Sequence, residues 1–141
     1  MTATLLFRIA AVVLLLFTAG HTTGFLTFRP STAEGMAVYN AMNSVRIEIS
    51  GAERTYAGLY TGFGLMVTAY MLLAAFLAWH LGAVAAKEPR AIRGLAWVFA
   101  AAQAACLALS VIYFFVVPAV FSAAVVVCLV WAAWLLRNAP A

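Results

Sequence analysis

Charged residues interrupt the chain so rarely that three long stretches contain none, at residues 9–28, 55–86 and 94–136. Each stretch reaches or exceeds the roughly 20 residues that an α-helix needs to cross a bilayer core. The last one is long enough to cross twice, and Pro118 near its middle marks the expected reversal. The pattern therefore predicts four transmembrane helices, at about residues 4–27, 57–82, 96–116 and 119–136.

The first stretch also has features of a secretory signal peptide, because Arg8 precedes an apolar run that ends in small residues. The apolar sequence resumes at residues 24–28, which makes the segment long enough to span. We therefore expect an uncleaved helix. The predicted fold is a single all-α domain over residues 1–141, an integral membrane four-helix bundle with a short outer helix between spans one and two.

The composition excludes an ordinary soluble domain, since 67% of the residues are apolar and 9% are charged, against roughly 45–50% and about 25% in soluble proteins. A net charge of +4 is compatible with nucleic acid or with a membrane surface. No Lys, Arg, Asp or Glu lies deep in spans two to four. This excludes a carboxylate relay or a row of voltage-sensing arginines.

The positions of the basic residues predict the orientation in the membrane, because cytoplasmic loops carry more Lys and Arg. One side of the predicted layout has Arg8, Lys87, Arg90, Arg93 and Arg137, and the other has Arg29, Arg46 and Arg54. We therefore expect a multi-pass protein of the cell (inner) membrane with both termini in the cytoplasm. The excess charge is expected to contact anionic membrane lipids, and no nucleic-acid partner is expected.

Residues 29–56 form the one sizeable segment outside the predicted spans. Ser31 and Glu34 form a capping box, which predicts a short helix over about residues 32–45. Met36, Tyr39 and Met42 would share one face of an amphipathic helix. We expect this helix to rest in the interface as a lid over the apolar reversal at residues 114–121, and Ser50 and Gly51 to break the chain before span two.

Polar side chains concentrate in the same segment. Carboxylates, guanidinium groups and amides over a lipid-facing pocket are suited to acid–base chemistry on a lipophilic substrate. The alternative is that they form solvated ion pairs that stabilise the lid. The candidate binding residues are Asn40, Asn43, Arg46, Arg54 and Tyr56, and the candidate carboxylates are Glu48 and Glu53.

His21 lies inside the first span, where an ionisable residue is a candidate functional group. In a catalytic interpretation His21 is the acid or base and Glu48 or Glu53 orients it; the alternative is a structural histidine bonded to a carbonyl or water. His80 is expected at the opposite interface, too far from His21 for one haem to bridge them. A symmetric dimer that pairs two copies of His21 is a further alternative.

The remaining chemistry-bearing residues predict packing. Cys106 and Cys128 lack the spacing of a metal site, so no metal is expected and no cofactor is identified. Small residues four apart in spans two and three predict close helix packing. Several hydroxyl residues are candidates for hydrogen bonds between helices or for the lining of a ligand cavity, among them Thr61, Thr68, Ser110 and Ser122.

The segment TYAGLYTGFGL at residues 55–65, together with the Gly20-His21 step, resembles small four-helix bacterial integral membrane proteins of uncharacterised function. The resemblance implies the four-span layout and no transferable activity. The leading hypothesis is a non-catalytic membrane protein that binds a lipophilic molecule or serves as an accessory subunit of a membrane complex, with a homo-oligomer as a further option. The alternative is a membrane enzyme that acts on a lipid or isoprenoid-like substrate near the outer leaflet, with Arg46 or Arg54 binding an anionic or carbonyl group.

Overall fold

A computed structural model describes residues 1–138 and places most of them in helices. Within that range four helices are long and apolar enough to cross a membrane, which confirms a multi-pass, mainly helical membrane protein. The element order is α1 (Ala3–Thr27), α2 (Ala33–Ser44), β1 (Arg46–Ile49), β2 (Ala52–Thr55), α3 (Tyr56–Ala85), α4 (Arg93–Tyr113) and α5 (Val116–Arg137).

The chain divides into two compact units. The four-helix unit comprises Met1–Phe17 and the chain from Met71 onward, and the hairpin unit comprises Thr18–Tyr70. The boundaries between the units fall inside α1 and inside α3, so each of these helices contributes residues to both units.

The four-helix unit contains the apolar core. Its buried positions on α1 recur every three or four residues, as expected for one face of a helix. Many of the others are alanines, whose small side chains let helix backbones approach closely in a membrane protein. The fully buried large side chains are Leu6, Phe7, Leu81, Val125 and Leu129.

α1 and α3 approach closely at Gly82. A Cβ atom there would lie 3.2 Å from the backbone oxygen of Thr4 and 3.3 Å from the Cβ atom of Phe7. One turn away on each helix, the Arg8 guanidinium lies over the Trp79 ring, 5.2 Å from its centroid. The glycine therefore sets the spacing at this end, where a cation–π contact joins the two helices.

α4 and α5 form an antiparallel pair whose reversal contains Phe114 and Phe115, earlier than the predicted position at Pro118. Proline is tolerated in the first turn of a helix, where its missing N–H has no helical partner, so α5 begins at Val116 and includes Pro118. Below the reversal, the buried Ser110 hydroxyl donates to the Cys106 carbonyl at 2.8 Å and lies 3.3 Å from the Ser122 hydroxyl. Of the two roles considered for these serines, a hydrogen bond between helices or the lining of a ligand cavity, the structure shows the hydrogen bond.

The outer helix predicted from the sequence is α2, which belongs to the hairpin unit. Thr32, rather than the predicted Ser31, is its N-cap, because the Thr32 hydroxyl accepts a hydrogen bond from the Gly35 N–H at 3.1 Å. Met36, Tyr39 and Met42 are half-buried and their neighbours mostly exposed, as the amphipathic pattern indicated. The Arg29 guanidinium lies 4.9 Å from the Tyr39 ring centroid and ties the preceding segment to α2.

A β-hairpin follows α2, where the sequence had predicted only a break in the chain. β1 pairs antiparallel with β2, and Glu48 stands directly opposite Glu53. Ser50 (φ 52°) and Gly51 (φ 79°) occupy the turn. Positive φ at both central residues is typical of a type I′ turn, whose twist matches that of the two strands.

Candidate functional site

His21 bonds to the backbone of the neighbouring helix within the hairpin unit. Its side chain is half-buried, and Nε2 lies 3.2 Å from the carbonyl oxygen of Gly64 in α3. Since a carbonyl oxygen only accepts, Nε2 must bear the hydrogen of this bond. In the neutral ring Nδ1 is then a hydrogen-bond acceptor.

Two threonines extend this bond into a small network. The Thr68 hydroxyl donates to the same Gly64 carbonyl at 3.1 Å, and the Thr22 hydroxyl lies 2.9 Å from that of Thr68. Because Thr68 has already used its one proton, Thr22 is the donor between them. Of the two roles considered for Thr68, a hydrogen bond between helices or the lining of a ligand cavity, the structure shows the hydrogen bond.

An aromatic ring closes one side of the network. The Phe25 ring centroid lies 5.1 Å from that of His21, and the rings are tilted by 39°. The same ring covers Gly64, where a Cβ atom would lie 2.8 Å from a Phe25 ring carbon. Gly64 thus accepts two hydrogen bonds and leaves room for the ring that flanks His21. We define the His21 cluster as His21, Thr22, Phe25, Gly64 and Thr68.

Replacing Gly64 with alanine is expected to lower the free energy of unfolding by about 1–2 kcal/mol relative to the matched variant Gly62→Ala. The new methyl group displaces the Phe25 ring, whereas a Cβ atom on Gly62 meets nothing within 4 Å. Denaturation in detergent measures the difference, and the NMR shifts of the His21 ring protons should change only in Gly64→Ala. Equal stability and unchanged shifts in both variants would contradict the packing.

The predicted outer carboxylates and guanidinium groups meet on the β-hairpin. An Arg46 Nη atom lies 3.1 Å from a Glu53 carboxylate oxygen, and both side chains are more than half exposed. Such a solvated pair adds little stability. Glu48 shares a face with Glu53, and Arg54 donates to the Glu53 backbone oxygen. A cavity of about 300 Å³ is lined by Arg46, Ile47, Glu48, Gly51 and Glu53.

The structure thus places the predicted site residues in separate groups within the hairpin unit. The His21 side chain is hydrogen-bonded to Gly64, and the Glu53 carboxylate is hydrogen-bonded to Arg46. Asn43 donates to the Tyr39 carbonyl within α2. Asn40, on the same helix, and Tyr56, at the start of α3, are exposed. The catalytic roles proposed for His21, Glu48 and Glu53 stay predictions.

Neither Gly64 as the partner of His21 nor Phe25 as its neighbour was predicted from the sequence. A spacing of four residues separates His21 from Phe25 on α1 and Gly64 from Thr68 on α3. Residues at this spacing share a face of one helix. The spacing does not show which faces of two helices meet. Within residues 1–138, no group of three or more His, Cys, Asp or Glu side chains is arranged to hold a metal ion.

Comparison with known protein families, with curated proteins and with solved structures finds no match to this chain. The function is therefore inferred from the residues themselves.

Proposed function

We propose that this protein is a non-catalytic accessory subunit of a membrane complex, and that its hairpin unit binds a partner membrane protein. The observation that carries the proposal is the exposure of this unit: among residues 18–70, all of which the structure describes, Thr18 alone is buried. The hydrogen bonds of the His21 cluster join the helices of the hairpin unit. The exposed apolar side chains of the hairpin unit remain available to a partner.

The exposed surface has features suited to another protein. Val38 and Ile49 lie outside the predicted spans, with 61% and 50% of their surface exposed, and apolar side chains there gain from being covered. Within the α3 span, Gly58 and Gly62 are exposed, and small residues at this spacing let a second helix approach closely. Because the unit exposes apolar side chains outside the predicted spans and small residues within one span, a protein partner is favoured over lipid alone.

The proposal includes the predicted orientation. Five Lys or Arg residues lie near the span ends on one side and three on the other, so both termini are assigned to the cytoplasm of a cell with the protein in its inner membrane. The hairpin unit's α2, β1 and β2 would then face outward, with α2 as the lid or docking helix.

Photo-crosslinking in native membranes tests the proposal. A benzophenone side chain at Val38 should give one discrete protein adduct, whereas the same group at the similarly exposed Phe76 of the four-helix unit should give lipid adducts. Gly62→Leu should abolish the Val38 adduct, and the matched Ala83→Leu should leave it intact. Lipid adducts from both positions would contradict the accessory-subunit function. A single small-molecule adduct at Val38 would instead favour binding of a lipophilic molecule.

One observation favours the catalytic alternative. A histidine whose Nε2 is oriented by a carbonyl presents Nδ1 as an acceptor, and this arrangement suits a general base. In that proposal His21 transfers a proton to or from a lipid or isoprenoid-like substrate, and Glu48 or Glu53 orients the His21 ring. Arg46 or Arg54 binds an anionic or carbonyl group of the substrate.

Comparison of membrane lipids separates the two proposals. Mass spectrometry of cells that produce the protein or its His21→Gln variant should show the same lipids if the protein is an accessory subunit. A lipid product that disappears with His21→Gln, while the Val38 adduct persists, would support the enzyme instead.

A further inference from the structure

The four-helix unit has an open cavity at its surface that the proposed function does not use. Its volume is about 350 Å³, within the range of ligand pockets. The lining comes from the start of α1, the end of α3 with the turn after it, and the end of α5, and it includes Thr4, Ala85, Ala86, Pro89 and Leu136. Because most of these side chains are apolar, the cavity suits a hydrocarbon chain.

Three cations directly follow lining residues in the sequence. Lys87 follows Ala86, Arg90 follows Pro89 and Arg137 follows Leu136, and all three are exposed. The one acidic residue among the loop and helix-end charges here is Glu88. The residues next in sequence to the lining of this apolar cavity therefore carry an excess of positive charge.

The helix ends at this cavity have opposite effects on an anion. α3 and α5 both finish here, and the carbonyl groups of a helix C-terminus carry partial negative charge, whereas α1 begins here and its N-terminus carries partial positive charge. Most of the attraction is therefore expected from the side chains. Arg8 lies one helical turn beyond Thr4 and is held against Trp79 by the cation–π contact, which adds a positioned cation at this end.

We propose that this end of the four-helix unit binds an anionic phospholipid, with one acyl chain in the cavity and the phosphate bound by Lys87, Arg90 and Arg137. The proposal differs from a diffuse attraction of basic loops to a membrane surface in two respects. It requires the cavity as well as the charges, and it predicts a defined stoichiometry. Basic pockets at the ends of transmembrane helices bind anionic headgroups in this way.

Native mass spectrometry of the full chain in detergent, titrated with dioleoylphosphatidylglycerol or dioleoylphosphatidylcholine, tests the proposal. The acyl chains are identical, so the comparison isolates the headgroup. We expect one saturable phosphatidylglycerol adduct with an affinity at least about tenfold higher than that of phosphatidylcholine. Arg90→Gln should weaken it about fivefold and the triple variant Lys87→Gln/Arg90→Gln/Arg137→Gln by on the order of 100-fold.

Two further variants separate the site from simple electrostatics. Ala86→Phe fills the cavity and keeps every charge, and it should also remove the adduct. Arg29→Gln removes one cation from the hairpin unit and should leave the affinity unchanged. Helicity by circular dichroism verifies that each variant is folded.

Three results would overturn the proposal. The first is equal affinity for the two lipids. The second is an adduct that survives Ala86→Phe in a folded variant, because binding would then depend on surface charge alone. The third is complete competition by soluble glycerol phosphate at the same concentration as the lipid, which would assign the site to a free phosphate compound.

Discussion

Replacing Gly82 with leucine is expected to lower the free energy of unfolding by roughly 3 kcal/mol, the upper end of typical overpacking costs. A Cβ atom at this position already falls within 3.2 Å of the Thr4 backbone oxygen and 3.3 Å of the Phe7 Cβ atom. Neither can swing aside as a side-chain end can, because one belongs to the backbone and the other to a fully buried residue. Three further carbons would therefore push α1 away from α3.

The matched control is Ala83→Leu, which adds a comparable side chain to the next residue of α3, on an exposed face. Reversible unfolding of both variants in mixed micelles, followed by helicity, measures the difference. The Gly82 variant should also weaken the Arg8–Trp79 contact and alter tryptophan fluorescence. A Gly82→Leu protein as stable as Ala83→Leu would show that α1 and α3 do not approach closely at this point.

The long helices could be predicted from the sequence because the bilayer restricts what the chain can do. The uncharged runs predicted spans at about residues 4–27 and 57–82, and the structure has α1 at Ala3–Thr27 and α3 at Tyr56–Ala85. The reversal between α4 and α5 was predicted too late in the chain because of Pro118. Proline stops a helix when it lies in the interior but is compatible with the first turn, and the sequence does not distinguish these positions by itself.

The β-hairpin was missed for a different reason. The segment RIEISGAERT contains alternating Ile47 and Ile49 followed by a Ser-Gly turn, which is a hairpin signal. Each strand is only four residues long, and β2 ends directly at α3, so the alternation of apolar and polar residues is brief. So short a pattern is weaker than the long apolar runs and the amphipathic helix on either side of it.

The partner of His21 could not be predicted for a more general reason. Every residue has a backbone carbonyl, so the sequence gives no indication that the one at Gly64 is the acceptor. Carboxylate side chains can be read from a sequence, so Glu48 and Glu53 were predicted as partners of His21. Thr68 was identified because its hydroxyl is a side-chain group, and the hydrogen bond observed for it supports that kind of inference.

The β-hairpin is expected to lose its pairing when Gly51 is replaced with valine. Gly51 has a φ of 79°, and a β-branched residue in this region costs roughly 1–2 kcal/mol. An isolated two-stranded hairpin has little stability to spare, and the two like charges of Glu48 and Glu53 stand directly opposite each other. Amide exchange across β1 and β2 should become about 5- to 30-fold faster, with α3 unchanged as an internal reference.

Ser50→Asn provides the opposite test at the neighbouring position of the turn. Ser50 has a φ of 52°, and asparagine tolerates this left-handed conformation better than serine because its side chain bonds locally. The Asn-Gly pair is also the preferred sequence for a type I′ turn. Exchange in both strands should therefore slow in this variant. Both substitutions change the turn and leave every strand residue unchanged. Opposite effects on the exchange of the same amides would therefore show that the turn determines the stability of the hairpin. Unchanged exchange in both variants would show instead that contacts outside the turn hold β1 against β2.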